Sequence, residues 1–332
     1  MSDFSIKNKS GTPKYKQIIA AIENAITSGR LKKGDPLPSI NSIKDSNSIS
    51  RDTVLTAFNE LKTRGIVQSV PGKGYYVASE SVNVAQKVFL LFDELNGFKE
   101  DLYNSFLNNI GDNVQVDIFF HHFNHDLFSK LIYDNIGNYN YYVIMPANLK
   151  NTNQVIEKLP ADKVYILDQM HEDLWSYSAI YQNFQTDIYN NLTKGLSLIN
   201  KYKKLILLFI SDKQPQGMLN GFKQFCKHYK IKHGIIDSLK DQVVTPGDVY
   251  VIPDDRNLIR IIKKIKEQQL ILGKDIGIIS YNDTMLKEIV EGGITTISTD
   301  FNKMGARLAH MITNKEQLQI ENDNDLILRK SL

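Results

Sequence analysis

Two short stretches of this 332-residue chain carry side chains suited to a polyanion. In Ser50, Arg51, Asp52 and Thr53, two hydroxyls, a guanidinium and a carboxylate open an amphipathic run. An arginine fork fits the O6 and N7 acceptors of guanine, and hydroxyls at a helix amino terminus suit phosphate oxygens. In Gly72, Lys73 and Gly74, the glycines let a tight turn approach another molecule while the lysine reaches a groove or a phosphate. Farther along, polar residues recur just after apolar runs: Asp93 and Glu94, Asp168 and Gln169, Gln182 and Asn183, Asp254 and Asp255, Asn282 and Asp283. Carboxylates and amides there can hold vicinal hydroxyls through paired hydrogen bonds, with Phe98 or Tyr281 available to face a sugar ring. Each alone is more often a simple loop cap; the shared placement makes them a set.

The first set needs a rigid carrier, and residues 1–78 supply one. From Pro13, Tyr15, Ile18, Ile19, Ile22 and Ile26 fall at helical spacing and Gly29 stops the run. Ser39 caps a short helix over 39–45, and Ser50 caps a longer one whose inner face is Val54, Ala57, Phe58 and Leu61. Residues 66–70 and 75–78 read as strands joined by the turn 71–74. Charge agrees: residues 1–80 hold 12 Lys/Arg against 7 Asp/Glu, whereas the remainder has a net charge of −2. The basic excess is thus assigned to the N-terminal quarter. Three helices and a hairpin predict a winged helix-turn-helix.

Over 12–78 the chain resembles the GntR family of transcription factors. The resemblance rests on Pro-x-Tyr-x-Gln-Ile at the start, Gly-x-Leu-x-x-Gly-Asp-x-Leu-Pro-Ser over 29–39, Ser-Arg-x-Thr-Val over 50–54, Leu-x-x-x-Gly-Ile-Val over 61–67 and Gly-Lys-Gly-x-x-Val over 72–77. It implies DNA contact by Ser39, Ser50, Arg51, Asp52, Thr53, Gly72, Lys73 and Gly74. There are departures. Many relatives carry Glu-Arg where this chain has Ile40 and Asn41, and a second arginine where it has Leu55. Base readout is therefore expected to be sparser or differently specified.

After a polar linker at 79–86, ten short apolar runs alternate with helical stretches: 87–92, 114–120, 141–146, 163–168 and 179–181, then 204–210, 232–237, 248–253, 276–281 and 295–299. Continuous apolar strands between helices imply parallel sheets covered on both faces, with ligands at the strands' carboxyl ends. The fold class is thus α/β, with two lobes behind the winged helix-turn-helix. The expected bounds are 87–182 with 300–315 for the first lobe, 183–299 for the second, and a C-terminal strand over 325–332. This region is similar to LacI-type regulators and periplasmic sugar-binding proteins. The likeness is carried by VYVIPDDRN (249–257), IGIISYND (276–283), ITTISTDFNKMGARLAHMI (294–312), QGMLNGF (216–222) and LILRKSL (326–332). It implies effector contacts from Asp93, Glu94, Phe98, Asp168, Gln182, Gln216, Met218, Asp254 and Asn282. Met218 stands where that family has a ligand arginine, so the pocket is expected to lack a fixed cation. A neutral pentose or 6-deoxyhexose is the expected effector.

Several function classes are disfavoured. Phosphate-loop, dinucleotide-loop and nucleophile-elbow motifs are missing, no cofactor or metal is implied, and the protein is not expected to be an enzyme. His121, His122 and His125 lack metal-site order and read as surface residues. Lone Cys226 sits on the apolar side of a helix and reads as core. With no apolar leader or spanning run, a cytoplasmic protein without membrane contact is expected. The partners implied are a double-stranded operator with an inverted repeat, a second copy of the chain and a small sugar. Two other readings stay open: a GntR-type regulator sensing a non-sugar metabolite, and an α/β enzyme fused to a DNA-binding head.

Overall fold

A computed structural model describes residues 6, 12–82, 86–211, 213–240 and 243–332. The linker reading at 79–86 falls partly on 83–85, outside the described residues.

The N-terminal segment builds three helices and a hairpin: α1 (Lys14–Thr27), α2 (Ile40–Asn47), α3 (Arg51–Thr63), β1 (Val67–Val70) and β2 (Gly74–Val77). The caps act as their residue types require. Ser39 Oγ accepts from the Ser42 amide, and Ser50 Oγ accepts from the Thr53 amide at 3.1 Å. Each satisfies one amide that the first helical turn leaves unpaired. Ile18, Ile22, Ile43, Val54, Phe58, Leu61, Ile66 and Val77 form the buried core of this segment. The hairpin is antiparallel, with Val70 opposite Gly74, and Pro36 bridges to Tyr76 beside it.

Two six-stranded sheets follow. The first contains β3 (Gln86–Phe92), β4 (Val114–Phe120), β5 (Tyr141–Ile144), β6 (Val164–Asp168) and β7 (Ser178–Tyr181). The second contains β8 (Lys204–Leu208), β9 (His233–Ile236), β10 (Asp248–Ile252), β11 (Gly277–Tyr281) and β12 (Thr295–Thr299). Two late strands complete them: β13 (Gln319–Glu321) joins the first and β14 (Asn324–Ile327) the second. The orders are β13-β7-β6-β5-β3-β4 and β14-β12-β11-β10-β8-β9. Strand β3 runs parallel to both β4 and β5, and β13 parallel to β7. In the second sheet β8 to β12 all pair in parallel, while β14 runs antiparallel to β12. Strand β14 ends at Ile327, short of the expected 325–332, and β13 matches none of the ten apolar runs.

The helices are α4 (Gly97–Ile110), α5 (His125–Asn135), α6 (Asn153–Ile156), α7 (Phe184–Lys194), α8 (Leu196–Ile199), α9 (Gln216–His228), α10 (Asp255–Glu267), α11 (Met285–Ile289) and α12 (Phe301–Asn314). Helix α12 crosses α4 so closely that a Cβ on Gly305 would collide with the Leu102 carbonyl oxygen. Only glycine permits that approach.

The chain divides into two compact units. One comprises Met1–Phe92, Gly111–Ile144 and Asn151–Tyr165; the other comprises Asp93–Ile110, Met145–Lys150 and Ile166–Leu332. Within the second unit the chain passes between the sheets three times: from β7 to α7, from β12 to α12 and from β13 to β14.

Candidate functional site

In the first unit, Ser50 stands just before α3 in extended backbone and its hydroxyl also meets Thr53 Oγ1 at 2.8 Å. These two hydroxyls thus close the helix start on themselves. Arg51 and Asp52 are exposed in the first turn, and Arg51 makes no side-chain hydrogen bond or ion pair among the described residues. Asp52 lies where the helix dipole favours an anion, which gives it a structural reason independent of any partner. Gly72 and Gly74 have φ of 74° and 109°, with open space where a Cβ would stand. Backbone conformation rather than crowding calls for glycine there. Lys73 is exposed between them, its amide bonded to the Val70 carbonyl at 3.0 Å. Ser39 is also exposed on this surface, capping α2.

All nine effector candidates lie in the second unit. Asp93, at the carboxyl end of β3, is buried and forms an ion pair with the buried ammonium of Lys99 on α4. Asp168, ending β6 at φ 74°, accepts a hydrogen bond from Gln182 Nε2. Gln182 in turn accepts from Thr299 Oγ1 at 2.5 Å, and Thr299 accepts from Asn324 Nδ2 at 2.9 Å. Burial raises the Asp168 carboxyl, while the nearby Lys99 charge opposes the shift. The structure therefore brings Asp93, Asp168 and Gln182 into one neighbourhood and adds Lys99, Thr299 and Asn324, which sequence reasoning missed.

The remaining candidates are less uniform. Phe98 is half-buried and its ring meets Phe301 at 4.8 Å between centroids, leaving Phe301 as a missed aromatic neighbour. Glu94 is exposed. Asn282 has φ 56° and a buried Oδ1 without a hydrogen-bond partner. Asp254 behaves otherwise: it caps α10, accepting from Asn257 N at 2.9 Å and from Asn257 Nδ2 at 2.8 Å. Gln216 is exposed and bonds to Asn220 on the same helix at 3.1 Å. Met218 is buried in the core of the second sheet with Phe222 and Phe225, and Tyr281 joins that core rather than presenting its face outward.

One expectation requires correction. His121, expected at the surface, is fully buried and edge-on to Phe128, whereas His122 and His125 are exposed. Lys99 adds a buried cation beside Asp93, which neutralises it. Cys226 is core, and burial pushes its thiol up to about 12. A cavity of about 520 Å³ lies elsewhere in this unit, against α12 and β13, among Ile180, Arg307, His310, Ile320 and Glu321. None of the effector candidates lines it.

Residues 14–77 match the profile of the bacterial regulatory proteins of the gntR family. The HTH-type transcriptional repressor YtrA of Bacillus subtilis (strain 168) is 31% identical over 97 residues, which cover 29% of this chain and 71% of YtrA. The chain belongs to the GntR family. Another relative is the mannosyl-D-glycerate transport/metabolism system repressor MngR of Escherichia coli (strain K12). It is 38% identical over 82 residues, and the chain spans only 34% of its length. The GntR head here is followed by a different body: residues 200–331 match the periplasmic binding protein-like domain. Among solved structures, the trehalose repressor from Escherichia coli superposes with a TM-score of 0.62 at 14% identity, covering 73% of this chain and 99% of that one. A LacI family regulator from Enterococcus faecium, solved with bound ribose, gives 0.59 at 16%, covering 74% and 98%. The fold of the body is therefore that of LacI-type regulators.

Proposed function

We propose that this GntR-family chain is a transcription repressor that binds an operator through α3 and the β1–β2 wing and is controlled by a small neutral sugar. The observation that carries the reading is one of polar satisfaction. A buried Asn282 Oδ1 without a partner lies at the carboxyl end of β11, and a buried polar cluster of Asp93, Asp168 and Gln182 lies at strand ends of the first sheet. A buried acceptor without a donor costs roughly 1–3 kcal/mol, and a ligand hydroxyl would recover it. The Lys99–Asp93 pair carries no net charge toward a ligand, which favours a neutral effector over an acid. The pentose and 6-deoxyhexose readings rest on Met218, which stands where the similar family has a ligand arginine. That structures of similar fold include a trehalose repressor and a regulator with bound ribose supports a sugar without choosing among sugars.

In this reading two copies act together on an inverted repeat, since two heads related by a two-fold axis read two half-sites. Helix α11 presents Met285, Leu286 and Ile289 to solvent, and Ile259 on α10 is exposed as well. Ion pairs Asp255–Lys287 and Lys266–Glu291 tie α10 to the α11 region, making an apolar face that suits a second copy.

The test is a thermal-shift screen of the whole protein against neutral monosaccharides, followed by sugar titration with and without operator DNA. A ligand at 100 times its dissociation constant adds about 2.7 kcal/mol, which is readily seen. Coupling is reciprocal, so operator must change sugar affinity by the same factor as sugar changes operator affinity. Equal sugar affinity in both conditions would remove the switch.

A further inference from the structure

The most basic stretch of this protein is not in the DNA-binding head. Between residues 194 and 233 the sequence holds nine lysines, no arginine and a single carboxylate, Asp212. The assignment of the basic excess to the N-terminal quarter is true of the chain's larger divisions and wrong at this finer scale: a near-neutral body conceals a concentrated patch.

The fold collects these lysines instead of scattering them. Lys203, Lys204 and Lys232 all act electrostatically on Asp248, at the start of β10. Lys203 N–H donates to the Gly247 carbonyl at 2.6 Å, and the Lys232 carbonyl accepts from Leu205 N–H at 2.9 Å. These contacts fix the three lysines at the amino ends of β8 and β9, beside the start of β10 and opposite the end that carries Asn282. Lys223 and Lys227 are one helical turn apart on the exposed side of α9, and Lys230 follows at φ 54° where the helix ends. Lys201 precedes β8 and is exposed. Among the described residues, none of Lys201, Lys203, Lys204, Lys223, Lys227, Lys230 and Lys232 forms a salt bridge, and Asp248, the carboxylate on which three of them act, is itself buried.

Local structure explains some of this charge. Lys227 and Lys230 complement the carboxyl end of the α9 dipole, and Lys232 beside edge strand β9 discourages strand pairing. Neither account covers Lys201, Lys203, Lys204 and Lys223, which add repulsion to the same surface.

We infer that this lysine surface is a second polyanion-binding site, and that its partner is the phosphate backbone of duplex DNA contacted without regard to sequence. Three observations favour DNA over an acidic protein. Protein interfaces are depleted in lysine and centred on desolvated aromatic or aliphatic anchors, whereas here Tyr202 and Tyr229 are packed into the core side. Compact lysine ammonium groups suit individual phosphates and read no bases. Seven cations across a helix and two strand ends match an extended line of charge better than a single anion. The site is distinct from the head, so one chain carries one surface for sequence and another for DNA as a polymer.

The experiment uses the full-length protein and its variant Lys223→Gln, Lys227→Gln, Lys230→Gln, Lys232→Gln. The dependence of affinity on salt is measured for a non-operator duplex, and capture of that duplex is measured with the protein already saturated by a short operator. Four lost phosphate contacts should flatten the log–log salt slope by about 3–4. Operator affinity on the short duplex should stay within about twofold, and capture of the second duplex should disappear. An unchanged slope together with unchanged capture overturns the proposal. A variant that loses binding to an acidic protein while keeping its DNA slope overturns it in favour of a protein partner. Unchanged circular dichroism and operator binding in the variant exclude misfolding as the cause of a loss.

Discussion

Gln182 and Thr299 lie 117 positions apart and share a 2.5 Å hydrogen bond where two of the three inter-sheet passages run side by side. Asn324, on the third passage, donates to the same Thr299 hydroxyl at 2.9 Å, and Gln182 continues the line to Asp168. The passages are thus joined to one another and to the strand end where an effector is proposed to sit.

Thr299→Val keeps the side-chain shape and removes the hydroxyl. It leaves the buried Gln182 Oε1 and the half-buried Asn324 Nδ2 without that partner, at a cost of about 1–3 kcal/mol. Chemical denaturation should report a lower midpoint with an unchanged slope. A variant as stable as the parent would show that water replaces the hydroxyl.

Arg51→Ala should weaken binding to the cognate operator by roughly 1–3 kcal/mol and flatten sequence preference. Lys73→Ala should weaken all duplexes and shallow the salt dependence by about one phosphate. Operator binding by Arg51→Ala at parental strength would place recognition elsewhere on the head.

Asn282→Ala should raise the dissociation constant of the sugar about tenfold, as expected from losing a hydrogen bond worth about 1.4 kcal/mol. Operator affinity without sugar should not move, because Asn282 lies in the other unit. Asp254→Ala is a mixed case. It strips the cap of α10 and should cost about 1 kcal/mol of stability even if no sugar touches it. A calorimetric titration of both variants separates these roles, and full sugar affinity in Asn282→Ala would move the pocket.

Asp187 gives a pH prediction. Burial raises its carboxyl to about 7, with Glu321 adding to the rise and the Asn183 and Lys194 contacts opposing it. One of its oxygens is buried without a hydrogen-bond partner, and its charge also bears on the buried Tyr281 hydroxyl. The folded state therefore holds a proton that the unfolded chain releases in the ordinary carboxyl range. The stability contributed by Asp187 is complete at low pH, declines as pH climbs toward 7 and is gone above it. Asp187→Asn should match the parent near pH 4 and exceed it near pH 8, by a margin on the order of a few kcal/mol. Melting curves at the two pH values decide the matter; a constant offset would show that Asp187 stays ionised throughout.

Much of this architecture was legible in the sequence because burial on both faces writes strands as plain apolar runs. The stretches 114–120 and 295–299 read directly as β4 and β12, and the other eight runs differ from their strands by one or two residues at the ends. Strand β13 was invisible for the opposite reason: its three residues, Gln319, Ile320 and Glu321, are mostly exposed at a sheet edge and carry no pattern. Site residues were harder. An aspartate after a strand can cap the next helix or hold a ligand, and sequence does not separate Asp254, which caps, from Asp93, which pairs with Lys99. Lys99 itself offered no signal, since lysines on helices are almost always solvated. Met218 follows from the periodicity of α9, which places it inward with Phe222 and Phe225.

The placement of β13 and β14 bears on synthesis of the protein. The core of the head closes using residues no later than Val82, and heads that precede other modules fold first as the chain emerges. Neither large sheet has its edge until residues 319–327 have been made. A growing chain therefore completes the packing of its head well before either sheet of the body has its last strand, so the head must be stable without help from β13 or β14.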